Sequence, residues 1–202
     1  MSFDIYLILD SLPKMLSGIG LTFQLLVLSG VLGLLLAFTL LLMRLTEKWY
    51  FSMPAQIYIY VFRGTPILVQ IFIIYYGLPQ FEAIRGSIFW PILREPFGCA
   101  ILALTLNTGA YVSEILRGAV LAVDRGLLEA GSALGLSRQQ RFIYITSPLA
   151  IRLGIPPYSN DVISLLKSTA LASTITIFDM MGIARTIVAE TYAPYEIFIS
   201  LA

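Results

Sequence analysis

Between Lys14 and Arg44 the chain carries no charged residue, and that gap limits the fold more than any other feature. The segment LTFQLLVLSGVLGLLLAFTLLLM inside it is long enough to cross the hydrocarbon layer, for which about 20 apolar helical residues suffice. Lipid offers no partners to backbone polar groups, so the crossing must be a helix. Composition points the same way: 58% of residues are hydrophobic and 12% charged, against about 25% charged in an ordinary soluble domain. The 202 residues are therefore expected to form one all-α, multi-pass bundle, a single transmembrane domain over 1–202.

Arg44, Glu47 and Lys48 close the first span, and Pro54 opens a second apolar run, AQIYIYVFRGTPILVQIFIIYYGL, with Arg63 as its only charge. Pro79 to Pro96 mixes Pro, Gly, Glu82, Arg85, Arg94 and Glu95 and reads as a connecting loop, with Phe89 and Trp90 at the interface. FGCAILALTLNTGAYVSEILRGAVLAV makes the third span, and Asp124 to Arg152 a polar centre that cannot lie in lipid. LGIPPYSNDVISLLKSTALASTITIF is the fourth, expected to break early at Pro156 and Pro157, and Asp179 to Glu190 a mildly amphipathic connection. YEIFISLA begins another apolar run that stops after eight residues, too few to span, so about five spans are expected with the last one cut short.

Several chemistries are excluded. The chain has no histidine, and Cys99 is its single cysteine, so a zinc cluster, a His-dependent triad and an intramolecular disulfide are all absent. Cys99 is then a small apolar filler. No resident metal or cofactor is expected, and a net charge of +1 provides no field for nucleic acid. LLKST ends like a phosphate-binding loop, but Asp161 and Leu166 stand where that motif needs glycine. The N-terminus carries Asp4 and Asp10 where a signal peptide would be positive. Arg44, Lys48, Arg125, Arg138, Arg141 and Arg152 fall in one set of alternate loops, and Lys14, Arg85, Arg94 and Arg185 in the other. The positive-inside rule places the first set in the cytoplasm and the N-terminus outside.

The polar centre, over about 122–150, contains EAGSALGLSRQQRFIYITSP. Its residues predict a short helix, a glycine-permitted turn and a second helix flanked by arginines, a surface element able to pass force from a soluble partner. This segment resembles the EAA loop of ABC-importer permeases, whose pattern is E-A-A, three residues, Gly, nine residues, I-x-L-P. Glu129, Ala130, Gly135, Ile145 and Pro148 fall in register, while Gly131 replaces the second Ala and Ser147 the Leu. YVFRGTPILVQ, LALTLNTGAYVSEILRGAV and PPYSNDVISLLKSTALAS extend the resemblance to the polar amino-acid permeases, of the histidine/lysine/arginine/ornithine and opine branch. It implies a bacterial inner-membrane, five-span subunit of a basic amino-acid importer working by alternating access. The implied partners are a homologous permease or a second copy, two ATPase subunits that carry ATP and magnesium, an external or periplasmic binding protein and the surrounding lipid. The chain itself would be no enzyme.

Charges inside spans are expensive and generally face a bundle interior or a wet path. Asn107, Tyr111 and Glu114 share one face of the third helix, and Asp161, Ser164 and Ser168 repeat the spacing on the fourth, with Lys167 one position off. Facing each other, the stripes could bind an amino acid's ammonium and carboxylate, and the two acids would suit a cationic side chain. Alternatively Glu114 pairs with Arg117, Asp161 pairs with Lys167 or Arg63, and all of them only pack the bundle. Arg63, Gly64 and Pro66 mark a place where the second helix can loosen as a hinge or gate, or simply kink. Two other functions compete with importer permease: a self-sufficient secondary transporter or channel with Glu114, Asp161 and Lys167 as ion relays, and a structural membrane subunit without a path.

Overall fold

The computed structural model describes residues 5–46 and 48–201; Asp4 and Glu47, used above, lie outside them. Among the described residues there are helices and no strands. Helix α1 (Ile5–Leu16) precedes the long α2 (Ile19–Leu45); α3 (Trp49–Gly64) and α4 (Ile67–Phe72) follow, α4 running on through π and 3-10 turns to Gln80. Short helices α5 (Glu82–Arg85) and α6 (Trp90–Leu93) lead to α7 (Pro96–Leu121). Then come α8 (Arg125–Ala133), α9 (Arg138–Arg141), α10 (Ser147–Thr169), α11 (Met180–Thr191) and α12 (Pro194–Leu201).

Among the described residues two helices, α2 and α7, are long and apolar enough to cross a membrane on their own. Two bent pairs raise the number of candidate spans to four: α3 with Ile67–Gln80, bent by 105°, and Arg138–Ile175 with α11, bent by 51°. The second apolar run is therefore broken at the place where Arg63, Gly64 and Pro66 allowed the helix to loosen or kink. Proline restricts its predecessor to extended backbone, and Thr65 before Pro66 sits at φ −113°, ψ 140°. The helix ends at Gly64 and restarts at Ile67, so Arg63, Gly64 and Pro66 flank a sharp turn in the backbone.

At the fourth span the expectation of an early break is overturned. Pro156 and Pro157 lie inside an uninterrupted α10. The carbonyls that lose donors to these prolines belong to Arg152 and Leu153, both exposed, so no buried acceptor is stranded there. The bend comes later, after the 3-10 turn Ala170–Ile175, where Thr176 takes the left-handed conformation.

The chain divides into two compact units. One comprises residues 5–30, Pro66–Thr105 and 165–201. Here Met15 of α1, Ala184 and Ile187 of α11 and Ile197 of α12 form a buried cluster. Hydropathy alone did not reveal α1 as a separate packed helix. Asp179 caps α11 by accepting from Gly182 N at 2.9 Å, and a Cβ on Gly18 would come within 2.7 Å of the backbone at Asp179 and Met180. Cys99 is buried as expected and donates its thiol to Leu93 O at 3.0 Å.

The other unit comprises Val31–Thr65 and Leu106–Ser164. Leu40, Ala55 and Ile59 pack α2 on α3, and the Tyr58 hydroxyl donates to Leu106 O of α7 at 2.6 Å. Helices in lipid gain from close backbone approach through small residues. A Cβ on Gly33 would stand 2.8 Å from Thr108 Cβ and Cγ2. Gly33→Val is therefore expected to destabilise the protein by about 1–3 kcal/mol, read as a lower melting temperature in detergent. Gly30→Ala, which meets only Leu165 Cδ2 at 3.6 Å, should leave it near wild type; equal melting of the two variants would show that the α2–α7 approach is not critical.

Candidate functional site

The polar centre folds as a closed two-helix element. Asp124 caps α8 by accepting from Gly126 N at 2.7 Å. At the other end Gly135 takes φ +79°, while Gly135 N donates to Ser132 O and Leu136 N to Gly131 O, both at 3.0 Å. These crossed bonds are the Schellman arrangement, which satisfies the last carbonyls and favours glycine at the left-handed residue. Ser137 then opens α9 with a capping box: its hydroxyl accepts from Gln140 N at 3.3 Å, and Gln140 Oε1 accepts from Ser137 N at 2.9 Å.

Side chains lock the two arms together. Arg141 reaches back to Leu128 O at 3.4 Å and to the Ser132 hydroxyl. Leu128 packs on the cluster of Ala119, Val123 and Ala150, which joins α8 to the ends of α7 and α10. Gly131 is buried, and a Cβ there would meet Ile145 Cδ1 at 2.7 Å and Arg141 Cγ at 3.3 Å. The arms approach closely here, where the family pattern has alanine. Gly131→Ala needs only the tip of Ile145 to move, a cost within about 1 kcal/mol; Gly131→Leu has no such room. Melting temperatures in detergent should separate the two, and equal melting would show the contact to be loose.

Glu129, Ala130, Gly135 and Pro148 are exposed, and Ile145 is half-buried between the arms. Leu134, which sequence reasoning did not single out, is 82% exposed at the turn. A large apolar side chain at the apex of a polar element is the signal that could have marked it.

In the spans, the first polar stripe is engaged rather than open. Glu114 bonds Arg117 through both oxygens, with Nη2 to Oε2 at 2.9 Å and Nε to Oε1 at 3.2 Å. It also accepts from Arg44 Nη1 at 2.8 Å, linking α7 to α2. The expected Glu114–Arg117 pair is thus present, and Arg44 is a partner that sequence spacing could not supply. The Tyr111 hydroxyl donates to Arg63 O at 3.4 Å, the Arg63 guanidinium lies over the Tyr111 ring at 5.2 Å, and Asn107 donates to Phe62 O at 3.4 Å. Asn107 and Tyr111 therefore hold the end of α3 just before its sharp bend.

The second stripe lies on α10. Asp161 is half-buried on α10, and among the described residues neither Lys167 nor Arg63 forms an ion pair with it. Ser164 donates to Asn160 O at 3.0 Å, and Lys167 is exposed on the same helix beside half-buried Ser168. No group of three or more metal-ligating side chains occurs among the described residues.

Apolar helices long enough to cross a membrane, an ion cluster on them and a polar two-helix element packed at the ends of α7 and α10 define a helical membrane protein. Residues 29–202 match the family described as "Binding-protein-dependent transport system inner membrane component", and the chain belongs to that family. The octopine transport system permease protein OccM of Rhizobium meliloti is 49% identical over 198 residues, 98% of this chain and 81% of the relative. The nopaline transport system permease protein NocM of Agrobacterium fabrum (strain C58 / ATCC 33970) is 45% identical, covering 97% and 82%. The histidine/lysine/arginine/ornithine transport system permease protein HisM of Escherichia coli (strain K12) is 42% identical, covering 90% and 77%. A crystal structure described as an amino acid ABC transporter with histidines superposes with a TM-score of 0.87 at 34% identity, covering 98% of this chain and 89% of that one. The chain is thus an inner-membrane permease component, a transport subunit and not an enzyme.

Proposed function

We propose that this chain forms half of the membrane path of an ATP-driven importer for basic amino acids or opines built on them, working by alternating access. It pairs with a homologous permease or a second copy, receives substrate from an external binding protein, and is driven by two ATPase subunits that hold ATP and magnesium. The N-terminus lies outside and the α8–α9 element in the cytoplasm, where Glu129, Ala130, Gly131, Gly135, Ile145 and Pro148 shape the ATPase contact. The observation that carries this reading is the α8–α9 element itself: two short helices closed by a Schellman turn and a capping box and packed on the ends of α7 and α10. Such a unit moves as one piece and transmits a push to the spans.

The substrate path draws on Asn107, Tyr111, Glu114, Asp161, Ser164, Lys167 and Ser168, with the bend at Arg63, Gly64 and Pro66 as its gate. Because Glu114 is already held by two guanidiniums, Asp161 is the better partner for a cationic side chain. Proteoliposomes containing the permease, ATPases and binding protein should take up labelled arginine or octopine only with internal ATP, and Asp161→Asn should slow that uptake about tenfold. Uptake driven by an ion gradient without ATP would overturn the importer reading; an Asp161→Asn variant with wild-type uptake would remove Asp161 from the path.

A further inference from the structure

Helix α1 divides its circumference into three strips. At 3.6 residues per turn, Ser11 and Met15 fall together, and both are buried; Met15 belongs to the cluster with Ala184 and Ile187 of α11 and Ile197 of α12. Asp10 and Lys14 form a second strip, exposed and bonded to each other at 2.8 Å. Ile5, Leu9 and Leu16 fall within about 40° of one another around the axis and make the third, and each of them is more than half exposed. Tyr6 and Pro13, both exposed, lie on the border between the apolar and the charged strip. Because the buried strip already supplies the packing on α11 and α12, the exposed apolar strip faces something outside the described chain.

Three observations identify those surroundings as lipid. Twelve helical residues extend about 18 Å, short of the hydrocarbon thickness of about 30 Å, so α1 does not cross the bilayer. The apolar strip runs on through exposed Ile19 and Phe23 of α2, a helix long and apolar enough to span, and is thus continuous with a surface that lipid covers. Around the axis the order is apolar, then Tyr6, then Asp10 and Lys14. Charged side chains avoid hydrocarbon and tyrosine is enriched where acyl chains meet headgroups, so that order repeats the polarity profile of the bilayer boundary.

We infer that α1 is an interfacial helix, lying along the membrane surface with Ile5, Leu9 and Leu16 among the acyl chains, Tyr6 at headgroup level and Asp10 and Lys14 in water. Helices of this kind sink their apolar face about 5–10 Å into the boundary between headgroups and acyl chains. The charged strip pairs one acid with one base, so the seat depends on apolar area and requires no anionic lipid. Through Met15, α1 ties α11 and α12 to the level of the bilayer surface.

The test uses the complex of permease and ATPase subunits in phosphatidylcholine bilayers, with Leu9→Cys, Asp10→Cys, Lys14→Cys or Leu16→Cys carrying a nitroxide. Buried Cys99 stays in place, and the unsubstituted protein is the blank. The exposed Asp10–Lys14 pair contributes little to stability, so the variants of the charged strip stay folded. The ratio of relaxation by oxygen, which concentrates in lipid, to relaxation by a water-soluble nickel chelate should be at least about threefold higher at positions 9 and 16 than at 10 and 14. A ratio that is equal at the four positions, or lower at 9 and 16, overturns the inference. So does shielding of positions 9 and 16 from both reagents, which would mean that a protein covers the strip. On unaltered protein, phosphatidylcholine with a photoreactive group high on its acyl chain should crosslink to α1 as well as to α2; adducts on α2 with none on α1 overturn the inference without any substitution.

Discussion

Replacing Glu114 by alanine is expected to cost this protein most of its folded material in the membrane. Among the described residues Glu114 is the only acid paired with Arg44 and Arg117, and the Arg44 and Glu114 side chains are just 16% and 18% exposed. Removing one partner of a buried ion pair costs roughly 3–5 kcal/mol, because the remaining charge is left uncompensated; partial exposure puts this case near the lower figure. Here two guanidiniums would be stranded at once. Arg117→Ala is milder, since Glu114 keeps Arg44 at 2.8 Å. The double variant Glu114→Ala/Arg117→Ala should recover part of the loss by removing one unpaired cation. Membrane yield and the melting temperature in detergent should rank wild type, Arg117→Ala, the double variant and Glu114→Ala in that order. Glu114→Ala melting alongside wild type would show that the cluster does not hold α2 to α7.

The same cluster shows what sequence could and could not supply. Helix geometry put Glu114 and Arg117 on one face because three residues nearly complete a turn. Arg44 stands 70 residues away, and nothing local encodes that approach. It depends on small residues such as Gly33 and Gly109 letting α2 and α7 come close, which only the assembled helices reveal. Hydropathy located the apolar runs because lipid imposes a length and a composition on every crossing. It did not register the 105° bend after Gly64, since a bent run and a straight one have the same composition. The prolines differed: the break at Pro66 falls where Arg63, Gly64 and Pro66 allowed the helix to loosen or kink, whereas Pro156 and Pro157, expected to break the fourth span, ride within α10. In the polar element, by contrast, each turn is closed by residues within a few positions of one another. Its helix, glycine turn and second helix were therefore legible from EAGSALGLSRQQRFIYITSP, and only the burial of Gly131 against Ile145 needed coordinates.

That local closure makes the turn the most sensitive point for coupling. Gly135→Val should abolish ATP-dependent uptake while the protein still inserts. Gly135 sits at φ +79° with open space where a Cβ would project, so the penalty is entirely in the backbone, roughly 1–2 kcal/mol for an L-residue and worse for a β-branched one. The turn escapes that strain by rearranging, which moves the apex and the exposed Leu134 with it. Gly135→Asn, which tolerates the left-handed region, should retain most uptake. Leu134→Asp changes the apex without touching the turn; if Leu134 seats in the ATPase subunit, the loss should reach about tenfold or more, as for a buried apolar anchor. Co-purification of the ATPase subunits and uptake into proteoliposomes separate the cases. Gly135→Val and Leu134→Asp should lose both, with membrane insertion intact. Normal ATPase retention and uptake in both variants would mean that the α8–α9 turn is not where the driving force enters the spans.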